Sequence, residues 1–344
     1  MNEPLVSIEN LHVRFRTYAG QVHAVNGVSL DIRPGEIFGL VGETGCGKTV
    51  TGLSLLRLVP SPGEITAGRI TFDGQDILSL SEQEMRDIRG ARIAMIFQDP
   101  AASLNPVFTA GEQIEMVIRQ HQPVSRRVAR QRTLEMLEAV GLPDPPQIVR
   151  AYPHELSGGM QQRVMIGLAL ASNASRSAER SRRSLLIADE PTTALDVTIQ
   201  AQILTLLTQL RESRGLSILL ITHNLGVVAE TCDRVAVLYV GHVMEKGRAR
   251  DIFKEMKHPY TQGLLAAIPR PGSHGEPLQA ISGSVPSGLG VFPGCSFEPR
   301  CPSAMEVCRQ APPPLVRVGE EHYVACYQFV EGVSKSWSYC HEVI

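Results

Sequence analysis

One short run constrains this chain more than any other: Gly42-Glu43-Thr44-Gly45-Cys46-Gly47-Lys48-Thr49, which fits the pattern G-x-x-x-x-G-K-[ST]. Directly before it lies Ile37-Phe38-Gly39-Leu40-Val41, apolar on both faces as a buried parallel strand is. A helical pattern follows. The glycines let the backbone wrap closely around an anion with its N–H groups turned inward. The start of the helix adds a favourable dipole. Lys48 is placed to reach the β- and γ-phosphates of a nucleotide, and the Thr49 hydroxyl to ligate Mg²⁺. The alternative is an ordinary glycine-rich turn; the strand before it and the helix after it count against that.

Apolar runs of the same kind recur at Leu185–Ala188 and Ile218–Ile221, with helical patterns between them, as around Thr198–Leu210. Buried strands alternating with helices predict an α/β domain with a mostly parallel sheet. The N-terminal stretch follows another period. Val6, Ile8, Leu11, Val13 and Phe15 mark one face with a slip at Asn10, and Val28, Leu30 and Ile32 alternate again, which predicts antiparallel strands. Val235–Val240 and His242–Glu245 flank Gly241 as a closing hairpin would. From about residue 99 to 171, charged helical patterns at Glu112–Gln120 and Arg126–Val140 read as a helical insertion into the α/β core. Beyond about Lys257, Pro and Gly become frequent and periodicity fades, so a core over 1–256 and a separate C-terminal extension over 257–344 are expected. Ser172–Ser184 is polar, cationic and low in complexity. It reads as a mobile surface loop, with a basic patch for lipid or nucleic acid as the less favoured alternative.

The partners are bounded by composition. A chain of 344 residues with 43% hydrophobic content can build a full core. A formal net charge of -2 is unlike a strongly basic nucleic-acid binder, so no nucleic-acid partner is expected. No apolar run approaches the roughly 20 residues needed to cross a bilayer. Met1-Asn2-Glu3-Pro4 lacks the signature of a signal peptide. The expectation is a protein that folds in the cytoplasm and meets a membrane only through partners.

Two further elements carry chemistry. Leu185-Leu186-Ile187-Ala188-Asp189-Glu190 delivers two acids at the C-terminal end of an apolar strand, where ligands bind in α/β sheets. Asp189 would hold Mg²⁺, directly or through water. Glu190 points to the other side of the strand axis and is the natural general base for polarising an attacking water. Alone, such an end is equally a solvated strand terminus; beside the phosphate loop the functional reading wins. Leu156-Ser157-Gly158-Gly159-Met160-Gln161-Gln162-Arg163 opens another helix with two glycines. It reads either as a second anion-binding helix end or as an ordinary Ser-initiated cap.

Taken in order, these motifs resemble the ATP-binding cassette (ABC) ATPase family. Leu156–Gly159 resembles its signature motif, with Met160 where Gln is commoner. In that family two cassettes pack head to tail, each ATP lying between the phosphate loop of one subunit and the signature of the other. The resemblance therefore implies that Ser157, Gly158 and Gly159 complete a neighbour's nucleotide site. Gln98, in Ile96-Phe97-Gln98-Asp99-Pro100, resembles the glutamine that senses Mg²⁺ and water where the core passes into the helical insertion. Thr193-Ala194-Leu195-Asp196 resembles the loop that crosses the dimer interface. His223 resembles the switch histidine that contacts the γ-phosphate, followed by Asn224 where Asp is commoner. Tyr18 is the candidate to stack on adenine; an ordinary exposed aromatic is the alternative. The implied fold is a P-loop NTPase (RecA-like) core with an antiparallel β subdomain, a helical subdomain and the extension. The stretch at 172–184 makes the link from signature helix to acidic strand longer than is usual in the family.

Three stretches resemble the dipeptide/oligopeptide importer branch, whose relatives also carry nickel and glutathione. They are Gln98-Asp99-Pro100-Ala101-Ala102-Ser103-Leu104-Asn105-Pro106, His258-Pro259-Tyr260-Thr261-Gln262-Gly263-Leu264-Leu265, and Gly294-Cys295-Ser296-Phe297-Glu298-Pro299-Arg300-Cys301-Pro302 continuing through Cys308 to Cys326. The chain has seven cysteines, of which Cys232 and Cys340 read as ordinary thiols, while Cys46 lies inside the phosphate loop and contributes mainly backbone to nucleotide binding. The other four are spaced C-x5-C-x6-C-x17-C. Four thiolates can hold a [4Fe–4S] cluster or a tetrahedral Zn²⁺; unligated buried cysteines are the alternative. The resemblance favours iron–sulfur, in a structural role. It further implies a second ABC ATPase subunit, in a heterodimer, with two integral membrane permease subunits and an extracytoplasmic substrate-binding protein. The assembly would sit peripherally on the cytoplasmic face of the inner membrane. A soluble ABC ATPase and an inactive regulatory cassette are the rivals. The single cassette without heptads speaks against the first, and Lys48, Glu190 and His223 against the second.

Overall fold

The computed structural model describes residues 3–171, 184–193, 195–267, 281–286, 288–290 and 292–332. The Ser/Arg-rich stretch at 172–183, Ala194 and Cys340 lie outside the described residues.

The chain opens with β1 (Val6–Thr17) and β2 (Gly20–Ile32), turns into β3 (Ile37–Val41), and returns with β4 (Gly63–Phe72) and β5 (Gln75–Asp76). β1, β2, β4 and β5 form an antiparallel sheet in the order β2-β1-β4-β5. The slip at Asn10 is a bulge. The register between β1 and β2 shifts between Ile8 and Leu11, and Asn10 takes the left-handed conformation at φ 48 that Asn tolerates. Alternation gives little sign of β4, because only Ile70 and Phe72 of this strand are buried.

β3 belongs to a second, eight-stranded sheet with β6 (Ile93–Ile96), β7 (Leu185–Asp189), β8 (Ser217–Thr222), β9 (Arg234–Tyr239), β10 (His242–Arg248), β11 (Leu315–Arg317) and β12 (Tyr323–Ala325). Its order is β11-β12-β10-β9-β3-β8-β7-β6, and β9, β3, β8, β7 and β6 run parallel. These central strands are apolar on both faces because both faces are covered. Ile37, Val41, Leu186, Ala188, Ile218 and Leu220 pack with the helical insertion. Their alternates Phe38, Leu40, Leu185, Ile187, Leu219 and Ile221 pack with the antiparallel sheet.

The insertion contains the helices Ala110–His121, Arg126–Ala139 and Gly158–Ala171. The first starts at a capping box: the Thr109 hydroxyl accepts from Glu112 N–H, and the Glu112 carboxylate accepts from Thr109 N–H. Ile114, Ile118, Met136, Leu137, Val164, Ile166 and Leu170 join one apolar cluster with the sheet, so the insertion shares the core. No helix among the described residues is long and apolar enough to cross a membrane.

The extension reads as a separate part in the sequence, but it continues the same sheet. β12 pairs antiparallel with β10 through Glu245 with Val324 and Lys246 with Tyr323, and β11 pairs with β12. Glu245 ties the join. Its carboxylate is fully buried and accepts from Lys257 N–H at 2.8 Å and His258 N–H at 3.1 Å, and it meets His322 Nε2 at 2.7 Å. Beside it Tyr239, Tyr260 and Phe297 pack edge to face, with Phe297 at 5.2 Å and Tyr260 at 4.7 Å from Tyr239 between ring centroids.

Candidate functional site

The phosphate loop joins β3 to the helix Lys48–Leu55, and at two positions its path excludes side chains. Gly42 has φ 156 and Gly47 φ 101; a Cβ there would meet the Leu238 carbonyl oxygen at 2.2 Å and the Ala24 carbonyl oxygen at 2.3 Å. Lys48 is buried, and its ammonium donates to the carbonyls of Gly42 at 2.7 Å and Glu43 at 3.0 Å, which holds it along the loop. Cys46 turns its side chain inward, where burial pushes the thiol up from its ordinary value. Its backbone is tied within the protein: its N–H donates to Glu43 O at 3.2 Å and its carbonyl accepts from Gly241 N–H at 2.9 Å.

The two acids at the end of β7 face different partners, as neighbouring residues of a strand must. Asp189 lies nearly buried against the loop, its Oδ1 accepting from Thr49 Oγ1 at 3.1 Å. Burial, with Glu190 beside it, pushes its carboxyl above the usual carboxylate range. A hydroxyl and a carboxylate oxygen placed together suit a hard cation that keeps several of its waters, so Thr49 and Asp189 fit Mg²⁺.

Glu190 gathers the remaining catalytic candidates. Its Oε2 accepts from Gln98 Nε2 at 3.2 Å and Thr193 Oγ1 at 2.8 Å, and its Oε1 lies 3.1 Å from His223 Nδ1. Burial pushes the Glu190 carboxyl up, but the bonds from Thr193 and His223 outweigh it and hold it below its ordinary value. An ionised carboxylate at neutral pH is what a base for an attacking water requires. Glu190 also adopts φ 45, a left-handed backbone that a residue with a long side chain rarely takes. The strain persists because Glu190 N–H is fixed to Ile221 O at 2.8 Å and the side chain is held at both oxygens.

Thr193, read in the sequence only as the start of the interface-crossing loop, is a partner of Glu190 that the sequence reading did not foresee. It stands three residues after Glu190 in a turn closed by Thr193 N–H to Glu190 O at 3.2 Å. A hydroxyl one turn beyond the base was the available signal. Asn224 caps the helix Leu225–Thr231, its Oδ1 accepting from Gly226 N–H at 3.0 Å and Val227 N–H at 3.3 Å. Asn and Asp cap equally well, so this departure keeps the start of the helix after His223.

Other candidates lie apart from this cluster. The Ser157 hydroxyl accepts from Met160 N–H at 3.4 Å, and Gly158 and Gly159 begin the helix Gly158–Ala171, packed near Leu195 and Ile199. Among the described residues no hydrogen bond joins this turn to the phosphate loop. Asp196 caps the helix Val197–Arg214, accepting from Ile199 N–H at 2.9 Å. Tyr18 stands fully exposed at the turn between β1 and β2.

In the extension, the thiols of Cys295, Cys301, Cys308 and Cys326 influence one another electrostatically. Burial first, then the neighbouring thiols, pushes Cys295 up to about 11 and Cys301 up to about 12, and Cys326 is raised too. Among the described residues, no group of three or more His, Cys, Asp or Glu is set closely enough to hold a metal ion.

The sequence profile of the ABC transporter family matches residues 25–193, and that of the oligopeptide/dipeptide transporter C-terminal region matches residues 244–308. The dipeptide transport ATP-binding protein DppD of Bacillus subtilis strain 168 is 47% identical over 326 residues, which covers 94% of this chain and 95% of the relative. The oligopeptide transport ATP-binding protein OppD of Salmonella typhimurium strain LT2 is 46% identical over 327 residues, covering 95% of this chain and 94% of the relative. Among solved structures, the dimeric post-hydrolysis state of the ATP-binding cassette MJ0796 bound to ADP and Pi is similar, with a TM-score of 0.62 at 29% identity. It covers 71% of this chain, and the match takes in 99% of that one.

Proposed function

The chain belongs to the oligopeptide/dipeptide branch of the ABC transporter ATP-binding proteins, and from that premise we propose how its residues energise peptide uptake. It is an ATP-hydrolysing subunit of a peptide importer. The observation that carries the mechanism is the convergence of Gln98, Thr193 and His223 on Glu190, beside the Thr49–Asp189 contact.

The backbone of Gly42–Thr49 cradles the phosphates, and Lys48 moves its ammonium from the loop carbonyls to the β- and γ-phosphate oxygens. Thr49 and Asp189 would hold Mg²⁺, with Gln98 as a further ligand from the mouth of the insertion; the ion would supply charge neutralisation along the phosphate chain. Glu190 orients the attacking water and accepts its hydrogen bond. His223 bridges Glu190 and the γ-phosphate. Tyr18 stacks on adenine. Ser157, Gly158 and Gly159 of one subunit, with the turn at Asp196, complete the site of a second cassette. Closure of that pair turns the helical subdomain near 99–171 against the membrane subunits, and hydrolysis reopens it.

The ATPase domain takes residues 1–256 and the extension 257–344. The assembly we infer pairs two different cassettes with two permease subunits and an extracytoplasmic binding protein, at the cytoplasmic face of the membrane. From the resemblance we infer that Cys295, Cys301, Cys308 and Cys326 would hold a structural [4Fe–4S] cluster, with Zn²⁺ as the alternative; as they stand, the four are not set closely enough for a metal ion, so loading would have to draw them together. The spacing of the four cysteines and the resemblance to the importer branch support this reading. Visible absorbance and metal analysis of anaerobically prepared protein separate the two.

The test of the nucleotide site is Mg-ATP binding by the full chain with its partner subunits. Wild type binds and Lys48→Ala does not. Equal binding by both sinks the assignment of the loop.

A further inference from the structure

Glu43 stands second in the phosphate loop and is held from outside it. Its backbone N–H donates to Tyr260 Oη at 3.0 Å. Its carboxylate takes a two-pronged contact from Arg300, at 2.8 Å through Nη1 and 3.1 Å through Nη2. Both partners come from the C-terminal extension. Arg300 is nearly buried, with 5% of its side chain exposed, and every N–H of its guanidinium has a partner. Besides Glu43, it donates to Tyr239 Oη at 3.3 Å, Ser282 O at 3.0 Å and Ile281 O at 3.4 Å. Tyr260 is fixed in turn by its ring contacts with Tyr239 and Phe297.

Glu43 matters to the loop through its own carbonyl. That oxygen accepts from Lys48 Nζ at 3.0 Å and from Cys46 N–H at 3.2 Å, the bond that closes the loop's turn. Whatever sets Glu43 therefore sets both the curvature of the loop and the starting place of its lysine. A buried fork of Arg on carboxylate fixes position in two directions, which a single point charge does not.

We propose that Arg300 and Tyr260 are positioning residues for nucleotide binding, through which the C-terminal extension holds the phosphate loop in its anion-binding shape. The extension thereby acts on nucleotide affinity as well as on stability. The inference rests on the reading that Gly42–Thr49 binds the triphosphate.

The experiment uses the full chain assembled with its partner subunits and measures KM and kcat for Mg-ATP, with the melting temperature and visible spectrum recorded for each variant. Arg300→Gln and Glu43→Gln are each expected to raise KM about tenfold, the loss of a charge-assisted contact, while kcat stays within about twofold. Arg300→Lys recovers part of the affinity, because it keeps the charge and loses the fork. The double variant is no worse than either single one, since both remove the same contact. Tyr260→Phe raises KM by a smaller factor and keeps the ring packing, so it decides the matter if Arg300→Gln does not fold. Unchanged KM in folded Glu43→Gln and Tyr260→Phe proteins overturns the proposal, as do additive effects in the double variant. A Lys48→Ala control that loses nucleotide while these variants keep it leaves the loop assignment standing and removes only the grip. A wild type without affinity for Mg-ATP removes the loop assignment itself.

Discussion

The C-terminal ends of β3, β7 and β8 place their polar groups by backbone. Asp189, Glu190 and His223 stand at, or one residue beyond, the end of a buried strand, and Lys48 opens the helix that the phosphate loop joins to β3. The β10–β12 edge of the same sheet works the other way. Glu245 meets His322, and Arg300 meets Glu43, across 77 and 257 residues of sequence. At the strand ends, neighbouring residues make the site and the fold supplies a platform. At the edge, side chains from remote segments make the fold, and no local run announces them. A change at the strand ends should therefore strike chemistry and spare stability, a change at Glu245 or His322 should do the reverse, and a change at Arg300, which reaches back to the phosphate loop, should touch both.

The largest expected effect is at the strand ends. Glu190→Gln keeps the shape of the site and removes the base, so ATP turnover of the assembled transporter should fall by about a thousandfold, with nucleotide affinity little changed. Steady-state ATPase with equilibrium binding measures both; turnover near wild type breaks the assignment. Next comes Glu245→Ala, which leaves His322 and two buried N–H groups without their acceptor. It should cost about 3 kcal/mol of stability. Hydrogen exchange should rise at residues 257–267 and 322–326 before it rises in β3, β7 and β8. Uniform loss across the sheet would erase the distinction between the two regions.

A third effect depends on pH. Burial depresses His258 from 6.5 to about 4. Unfolded, this histidine binds a proton below its ordinary value; folded, it stays neutral until about 4. The unfolded state then holds more protons, so stability falls as pH drops from about 6.5 to 4, by up to about 3 kcal/mol. Burial pushes Glu245 up, but the bonds from His322 and the backbone N–H groups outweigh it and hold it low, which acts in the same direction at lower pH. Denaturation midpoints across this range, in wild type and His258→Asn, test the sign; an unchanged slope in the variant breaks it. The smallest effect is Tyr18→Ala, which should weaken adenine nucleotide binding about fivefold through lost stacking, with guanine nucleotides compared in the same titration.

The sequence makes the parallel core legible because its rules are local. Ile37–Val41, Leu185–Ala188 and Ile218–Ile221 are buried strands, and the residues after them are the proposed site. The bulge at Asn10 and the hairpin at Gly241 are legible for the same reason, since a residue's own φ preference decides them. β6 carries the same kind of apolar run as β3, shortened to four residues at the mouth of the helical insertion. β11 and β12 have three residues each, too few for any alternation to register. Nothing in Gly294–Pro302 says that Arg300 reaches Glu43, because that contact depends on how the extension folds back beside β9. Thr193 falls between the two classes: it is local to Glu190, but its hydroxyl matters only once the turn is known.

The pairing of β12 along β10 has a consequence for handling the protein. An unpaired strand margin is a template on which another chain can assemble. Here the outermost strand, β11, is three residues long and carries Arg317, a poor template. A chain cut near residue 256 would bare the flank of β10 instead, and filaments or inclusion bodies rather than a soluble ATPase would be the expected product.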